Sequence, residues 1–202
     1  MSRKLVLAST SKYRAELLAR LRLPFETRSP DVDEEIAPGE PPEAAAARLA
    51  AAKAEAAARG TDALVIGADQ VPSLGGRILR KPGDHRTALE QLLACRGRTV
   101  VFHTAAAIVD GRNGAAHRTV DVTEVDFARL DRDALDRYLR LEEPYDCAGG
   151  FRAEGLGIIL FSAIRSRDPT ALIGLPLIWV AATLRALGLD PLAPDRAPAA
   201  RP

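Results

Sequence analysis

The amino-acid sequence predicts an α/β fold built on a mixed β-sheet. In the first half of the chain, short apolar runs typical of buried strands alternate with segments of helical periodicity, which favours parallel strands joined by helices. In the second half, two long segments flank a turn-rich stretch like the arms of a hairpin, which adds antiparallel strands. A chain of 202 residues fits a single domain, and no internal repeat or linker divides it.

The first elements are a strand, a loop and two helices. Residues 5–8 are apolar without alternation, as in a buried strand, and leucines at helical spacing predict a helix over residues 11–22. A second helix is predicted over residues 43–59, because this segment is rich in alanine, follows two prolines and ends before Gly60. The chain therefore begins with the strand and helix pattern of an α/β protein.

The segment ALVIGADQV, residues 63–71, predicts a central strand that ends near Asp69 and Gln70. Asp84 can cap a third helix that ends at Gly97, and a glycine-rich stretch containing Glu154 follows later in the chain. The other predicted elements are a hairpin from residues 99–109 and 117–127, a helix over 133–141, a strand over 158–161 and a helix from about Pro176 to Gly188. The domain is predicted to span residues 1–192, and residues 193–202 have the composition of a disordered tail.

Composition narrows the classes of function. The formal net charge of +1 gives no overall field for binding nucleic acid or an anionic membrane, and no apolar stretch reaches about 18 residues, the length that suggests a membrane span. The two cysteines lack metal-ligand spacing, no secretory segment is evident, and we expect a cytoplasmic protein. The three histidines show no ligand spacing and no Ser/His/Asp set stands out, which argues against a zinc site and a nucleophilic hydrolase.

Hydroxyl groups follow the first strand where the first helix begins. Ser9, Thr10 and Ser11 stand at this junction, and Arg14 lies one turn into the helix. A helix N-terminus offers unpaired N–H groups and a positive dipole end, so these side chains could hold phosphate oxygens. An ordinary hydroxyl cap beside a solvated arginine is the commoner arrangement, and these residues alone leave both interpretations open.

Acidic and basic candidates complete the set. Glu34 lies in an acidic loop that could simply be exposed, whereas Asp69 follows a probable central strand, where ligands of α/β proteins bind. Lys53 and Lys81 are cations that, taken singly, resemble ordinary surface lysines. Carboxylates suit Mg²⁺ or Mn²⁺, and cations near a helix N-terminus suit a polyphosphate, so together these residues indicate chemistry at phosphorus.

The order and spacing of these residues resemble the Maf family of nucleoside triphosphate pyrophosphatases, over about residues 4–192. The family's pattern of a strand followed by Ser-x-Ser-Pro-x-Arg corresponds to STSKYR, with Lys12 in place of proline. Its acidic pair corresponds to Asp33 and Glu34, its helix lysine to Lys53 and its strand end to GADQV. Its Gly-Lys-Pro loop appears as RKP, with Arg80 in place of glycine.

The resemblance implies a mixed, strongly twisted sheet flanked by helices, with a central ligand cleft. It further implies hydrolysis of the α–β phosphoanhydride of a nucleoside triphosphate, a divalent cation (Mg²⁺, Mn²⁺ or Co²⁺) and a possible homodimer. The implied roles are Asp69 as general base, Glu34 and Asp69 as metal ligands, Ser9, Ser11, Arg14, Lys53 and Lys81 as phosphate-binding residues, and Tyr13, Gln70 and Glu154 as specificity residues.

Two features favour the branch of the family that resembles 7-methyl-GTP pyrophosphatases. Gln70 follows the strand-end aspartate where the dTTP/UTP branch tends to have threonine, and CAGGFRAEGLG contains an acid, Glu154, where that branch has glutamine. Tyr13 could stack on a purine, and Glu154 could pair with its N–H edge or offset the positive charge of a methylated ring. The alternatives are a dTTP/UTP or broader pyrophosphatase, a nucleotide-binding regulator of septum formation, and an α/β domain whose polar loop residues are merely caps and solvated charges.

Overall fold

A computed structural model describes residues 3–193 of the protein. Its strands form one seven-stranded sheet in the order β2-β1-β3-β5-β6-β7, with β4 paired to β3. The strands are β1 (Leu5–Ala8), β2 (Glu26–Thr27), β3 (Leu64–Leu74), β4 (Arg77–Ile78), β5 (Thr99–Asp110), β6 (Ala116–Phe127) and β7 (Phe161–Arg165). The α-helices are α1 (Lys12–Ala19), α2 (Pro42–Ala58), α3 (His85–Cys95), α4 (Arg132–Glu142) and α5 (Leu177–Ala186).

The sheet is mixed, as the sequence predicts. Strands β2, β1 and β3 are parallel, and β3, β5, β6 and β7 are successively antiparallel. The predicted hairpin is present as β5 and β6, which pair from Thr99↔Asp126 to Val109↔Ala116. Parallel strands need crossover connections, and here helices provide them: α1 lies between β1 and β2, and α2 lies between β2 and β3.

Helices cover both faces of the sheet. Helix α2 packs its alanines on one face, against Val6, Val65 and Val109. On the other face, α1 and α5 pack against Leu7 and Ile66, and α3 and α4 form a second core farther along. Because α2 is rich in alanine, it lies very close to β3: a Cβ atom at Gly67 would lie 2.5 Å from the Ala54 nitrogen. Close contact between α2 and β3 fixes the position of side chains on both elements.

One predicted strand is wrong in its bounds. Residues 158–161 were expected to be extended, but residues Leu156–Leu160 form a 3₁₀ turn and β7 begins at Phe161. The turn follows from two close approaches: Cβ atoms at Gly155 and Gly157 would collide with Glu142 and with the Arg152 backbone. The chain therefore coils tightly against the end of α4 before it extends.

Other differences are smaller. The first helix ends at Ala19 rather than residue 22. The nitrogens of residues 20–22 donate to carbonyl oxygens three residues back, as in a 3₁₀ turn, and Arg22 then adopts a left-handed conformation with φ of 54°. The two-residue strands β2 and β4 are too short to leave a sequence pattern. Within residues 3–193, no helix combines the length and apolar composition needed to cross a bilayer. Residues 194–202 of the expected tail lie outside the described residues, so the boundary at residue 192 stays a prediction.

Candidate active site

A cleft of about 940 Å³ opens where β1 ends beside β3. The pairing of the two strands stops at Ala8↔Gly67, while β3 continues to Leu74, so the residues of β3 after Gly67 face the cleft without a parallel neighbour. This volume lies within the usual range of about 300–1,000 Å³ for ligand pockets. All ten predicted site residues line the cleft: Ser9, Ser11, Tyr13, Arg14, Glu34, Lys53, Asp69, Gln70, Lys81 and Glu154.

Asp69 and Gln70 lie on opposite faces of β3. The expectation that they end the strand is wrong, because β3 continues for four residues beyond Gln70. The pairing with β1 is what ends there, and this exposes the strand edge to the cleft. Since successive side chains of a strand point to opposite faces, Asp69 points towards α2 and Gln70 towards the segment before α5. One strand thus contributes to two differently built halves of the cleft.

The first half centres on Lys53 of α2. Its Nζ lies 2.6 Å from Oδ1 of Asp69 and 3.0 Å from Oε2 of Glu34. The Lys53 residue is only 5% exposed, whereas the Glu34 side chain is 60% exposed and extends from a loop into the cleft. A buried ammonium group needs a paired charge, and two carboxylates provide it here. The arrangement leaves one net negative charge among these three groups.

The hydroxyl groups at the start of α1 have two functions in the structure. Ser11 is the N-cap, since its Oγ accepts a hydrogen bond from the Arg14 nitrogen at 3.4 Å. The Ser9 Oγ accepts hydrogen bonds from the Ser11 nitrogen at 3.2 Å and from Arg14 Nη1 at 3.4 Å. The cap interpretation is therefore correct for Ser11, and the same residues also line the cleft.

Arg14 is held in place rather than solvated. Its Nε donates a hydrogen bond to the carbonyl oxygen of Gly174 at 3.0 Å. Burial lowers the pKa of the Arg14 guanidinium, while the negative charges of Asp69 and Glu34 raise it. Because arginine stays protonated under all ordinary conditions, the cleft keeps a fixed cation opposite its two carboxylates.

The second half of the cleft centres on Gln70. Its Nε2 lies 3.0 Å from the Thr104 hydroxyl and 3.0 Å from the carbonyl oxygens of Ala171 and Leu172. The Thr104 Oγ1 in turn donates to the Ala171 carbonyl at 2.9 Å. Gln70 therefore fixes the segment that precedes α5, the same segment whose Gly174 carbonyl binds Arg14.

Three further predicted residues lie on loops around the opening of the cleft. Lys81 is exposed and follows β4, in a loop that contacts the glycine-rich segment through the Gly149 nitrogen and the Arg80 carbonyl at 3.4 Å. Glu154 is exposed on the glycine-rich segment. Tyr13 lies in the first turn of α1, where Lys12 Nζ lies 5.0 Å from its ring centroid.

Sequence reasoning missed several residues that shape the cleft. Arg152 lines it and donates to the Tyr13 hydroxyl at 3.2 Å, and Thr104 supports Gln70. Asp168 accepts hydrogen bonds from the nitrogens of Thr170 at 2.9 Å and Ile178 at 2.7 Å, and so fixes the segment before α5. Arg152 was visible as a cation two residues before Glu154 in a glycine-rich stretch, whereas β5 residues such as Thr104 carried no signal.

The residues present fit a divalent cation. Among residues 3–193, no cluster of three or more His, Cys, Asp or Glu side chains forms a protein-only metal site. Glu34 and Asp69 nevertheless place two carboxylates beside one nitrogen at the edge of a polar cleft. Mg²⁺ is commonly bound through one or two carboxylates, with phosphate and water oxygens completing its coordination. This donor set therefore matches a cation that arrives with a phosphate-bearing ligand.

The fold and the cleft together define an α/β protein in which hydroxyl groups and cations line a cleft beside two carboxylates. The chain belongs to the family described as Maf-like protein, whose sequence pattern matches residues 4–187. This confirms the family that the motifs predict.

Similar proteins cover nearly the whole chain. A protein of Cupriavidus metallidurans named 7-methyl-GTP pyrophosphatase is 54% identical over 91% of this chain and 93% of its own. Proteins of the same name from Burkholderia pseudomallei and Ralstonia nicotianae are 53% and 55% identical, covering 98% and 90% of this chain and 93% and 94% of their own. A solved nucleoside-triphosphatase / dITP/XTP pyrophosphatase of Mycobacterium abscessus aligns at 19% identity with a TM-score of 0.45, covering 95% of this chain and 98% of its own.

Proposed function

We propose that this protein hydrolyses 7-methyl-GTP to 7-methyl-GMP and pyrophosphate. The observation that carries the proposal is the Asp69 carboxylate, held at 2.6 Å by Lys53 in a cleft that also contains Arg14 and the start of α1. The shared name of relatives that are 53–55% identical over at least nine tenths of the chain supports the choice of substrate.

Asp69 is the general base of the proposed reaction. Its Oδ1 accepts a hydrogen bond from Lys53, so Oδ2 is the atom that would take a proton from water. The water oxygen forms a bond to the α-phosphorus, the bond from that phosphorus to the α–β bridging oxygen breaks, and pyrophosphate leaves with the bond's electrons. Lys53 holds Asp69 through Oδ1 and so fixes the direction of its free oxygen.

The phosphate-binding residues offset the charge that develops on the leaving pyrophosphate. Arg14 and Lys81 supply cations, and Ser9 and Ser11 supply hydroxyl groups beside the N–H groups at the start of α1. When a divalent cation is bound, Glu34 and Asp69 are the residues that would hold it, and its charge lowers the pKa of nearby water.

The base would lie at the other side of the cleft. The Tyr13 ring offers a surface on which a purine can stack, and Glu154 offers a negative charge. A 7-methylguanine ring carries a positive charge that guanine lacks, so an exposed carboxylate such as Glu154 favours the methylated base. Gln70 would act by fixing residues 171–172, of which Leu172 lines the cleft.

The experiment that tests the proposal is pyrophosphate release from 7-methyl-GTP, GTP, dTTP, UTP and CTP in the presence of Mg²⁺, Mn²⁺ or Co²⁺. We expect 7-methyl-GTP to be preferred, and we expect Asp69→Asn to lower the rate by about 10²- to 10⁴-fold, as for loss of a general base. The exposed Asp62 is a matched control, and Asp62→Asn should keep the wild-type rate.

Two outcomes would contradict the proposal. A preference for dTTP or UTP would leave a pyrophosphatase but overturn the assigned base. No turnover of any nucleotide would overturn the enzyme and favour a nucleotide-binding regulator instead. The homodimer and the cytoplasmic location stay predictions, and light scattering of the full chain tests the first.

A further inference from the structure

Arg152 connects the glycine-rich segment to α1 across the cleft. Its Nη1 donates a hydrogen bond to the Tyr13 hydroxyl at 3.2 Å, although the two residues are 139 positions apart in the chain. Tyr13 and Glu154 are the two side chains to which base recognition is assigned above, and Arg152 contacts the first and lies two residues from the second. Arg152 is therefore the structural connection between them.

The guanidinium of Arg152 is held from the side opposite Tyr13. Its Nη2 donates to the Glu142 carbonyl oxygen at 2.8 Å and lies 3.0 Å from Oε1 of Glu142, and the two side chains are 28% and 16% exposed. Oε2 of Glu142 also accepts from the Leu156 nitrogen at 3.4 Å. The end of α4 thus fixes both the guanidinium and the segment that carries Glu154.

The backbone beside Arg152 is also anchored. The ring of Phe151 packs edge-on against Phe102, Phe127 and Phe161, with centroid separations of 5.5, 5.3 and 5.1 Å. Phe151 therefore fixes the chain in the core, and the next residue points towards α1. A planar guanidinium group that is held through one nitrogen by a carboxylate can position a hydroxyl group through its other nitrogen.

We propose that Arg152 is a positioning residue for base selection, a role that rests on the proposed function. It holds the Tyr13 hydroxyl so that the Tyr13 ring and Glu154 keep a fixed separation around the base. The competing role is a direct contact to phosphate. The geometry favours positioning, because Glu142 already pairs with Arg152 and reduces the charge that it could offer to a polyphosphate.

The test measures kcat/KM of the full chain for 7-methyl-GTP, GTP and UTP, together with inhibition by tripolyphosphate. In Arg152→Gln, the preference for 7-methyl-GTP over UTP should fall about five- to tenfold, the range expected for one hydrogen bond, with inhibition by tripolyphosphate unchanged. Tyr13→Phe keeps the ring and removes the acceptor, so it should cause a similar loss. The double variant should lose no more than either single variant, because both remove one interaction.

Two further variants complete the design. Arg152→Lys keeps the charge but not the fork, so it should restore less than half of the lost preference. Arg118→Gln is the matched control, because Arg118 forms a 2.8 Å pair with Glu55 on an exposed surface away from the cleft. Its base preference should equal that of the wild type. If Arg152→Gln does not fold, as judged by thermal unfolding, Tyr13→Phe decides the question.

The results separate this inference from the proposed function. Equal losses for all three nucleotides with weaker inhibition by tripolyphosphate would assign Arg152 to phosphate and overturn the inference, as would additive losses in the double variant. If the wild type prefers another base, the proposed substrate fails, but a reduced preference for that base in Arg152→Gln still supports positioning. If nothing is hydrolysed, the same ratios are taken from Kd values by calorimetry, and unchanged ratios overturn the inference.

Discussion

The two halves of the cleft are built differently. Around Lys53, charged side chains from the regular elements α2 and β3 contact one another directly, and the exposed Glu34 completes the group. Around Gln70, a side-chain amide and a hydroxyl bind backbone carbonyls of a connecting segment. The half around Lys53, called the charged half below, therefore depends on charge balance. The half around Gln70, called the amide half below, depends on the conformation of a connecting segment.

This difference predicts which substitutions affect stability as well as activity. A residue in the charged half that is buried should affect both, because its loss leaves uncompensated charges. An exposed cation at the opening should affect activity only. A residue in the amide half should change the choice of nucleotide more than the rate.

The largest effect is expected for Lys53→Ala. The substitution leaves Asp69 and Glu34 without their shared cation, so kcat/KM should fall at least about 100-fold and the free energy of unfolding by about 3 kcal/mol, as when a buried ion pair loses one member. Steady-state kinetics and urea unfolding measure the two effects. An unchanged unfolding midpoint would show that Lys53 is not a structural partner of these carboxylates.

Lys81→Ala should affect activity without affecting stability. Lys81 is exposed at the opening of the cleft, and loss of one charged hydrogen bond to phosphate should lower kcat/KM about ten- to a hundredfold. The unfolding temperature should stay that of the wild type. Arg77→Ala removes an exposed cation outside the cleft and is the control, and similar losses in both variants would point to a general charge effect.

Gln70→Glu should mainly alter nucleotide choice. The new carboxylate oxygen would face the carbonyl oxygens of Ala171 and Leu172, which now accept hydrogen bonds at 3.0 Å. Because these groups repel each other, the segment should shift and the preference among nucleotides should fall about tenfold, more than kcat for the best substrate. Thr104→Ser keeps the hydroxyl and should keep the preference. A large loss of kcat with unchanged preference would show that Gln70 acts in the reaction itself and not in the choice of nucleotide.

The smallest effect concerns an ion pair outside the cleft. Arg165 and Thr99 donate hydrogen bonds to Asp126 and lower the pKa of its carboxyl to about 2. Because the folded pKa lies below the ordinary value of 3.8, this pair stabilises the fold above that value, and the contribution is lost as the pH falls through about 2. The unfolding temperatures of wild type and Asp126→Asn should differ slightly at pH 6 and converge near pH 2. A constant difference would contradict the role of this titration.

The sequence carried enough information to predict most of the fold, because each major element has a local signal. Helix α2 is specified by its alanines and Gly60, and the β5–β6 hairpin by two long segments on either side of a turn-rich stretch. The 3₁₀ turn before β7 was missed because its cause lies in the tight packing of Gly155 against Glu142 of α4 and of Gly157 against the nearby Arg152 backbone. Such contacts leave no periodic pattern in the chain.

The candidate site was predictable to a similar degree and for a similar reason. Asp69 and Lys53 each belong to a short motif of neighbouring residues that can be recognised in the sequence, and the structure brings both to one cleft. The partners that orient them are separated by long distances in sequence: Thr104 is 34 positions from Gln70, and Arg152 is 139 positions from Tyr13. Sequence order does not reveal such pairs, because they arise only when β5 and the glycine-rich segment have packed.

The opposite orientation of Asp69 and Gln70 gives β3 one side chain on each side of the cleft, and the proposed roles assign reactivity to the first and selectivity to the second. In that proposal, adjacent positions of the sequence control two properties through separate sets of contacts, so a change at Gln70 should leave the contacts of Asp69 in place. The same arrangement does not tolerate a one-residue shift of the side chains along the strand. Deleting one residue of β3 before Asp69 would turn the acid towards the carbonyl oxygens of residues 171–172 and the amide towards Lys53, so it should remove the contacts of both side chains at once.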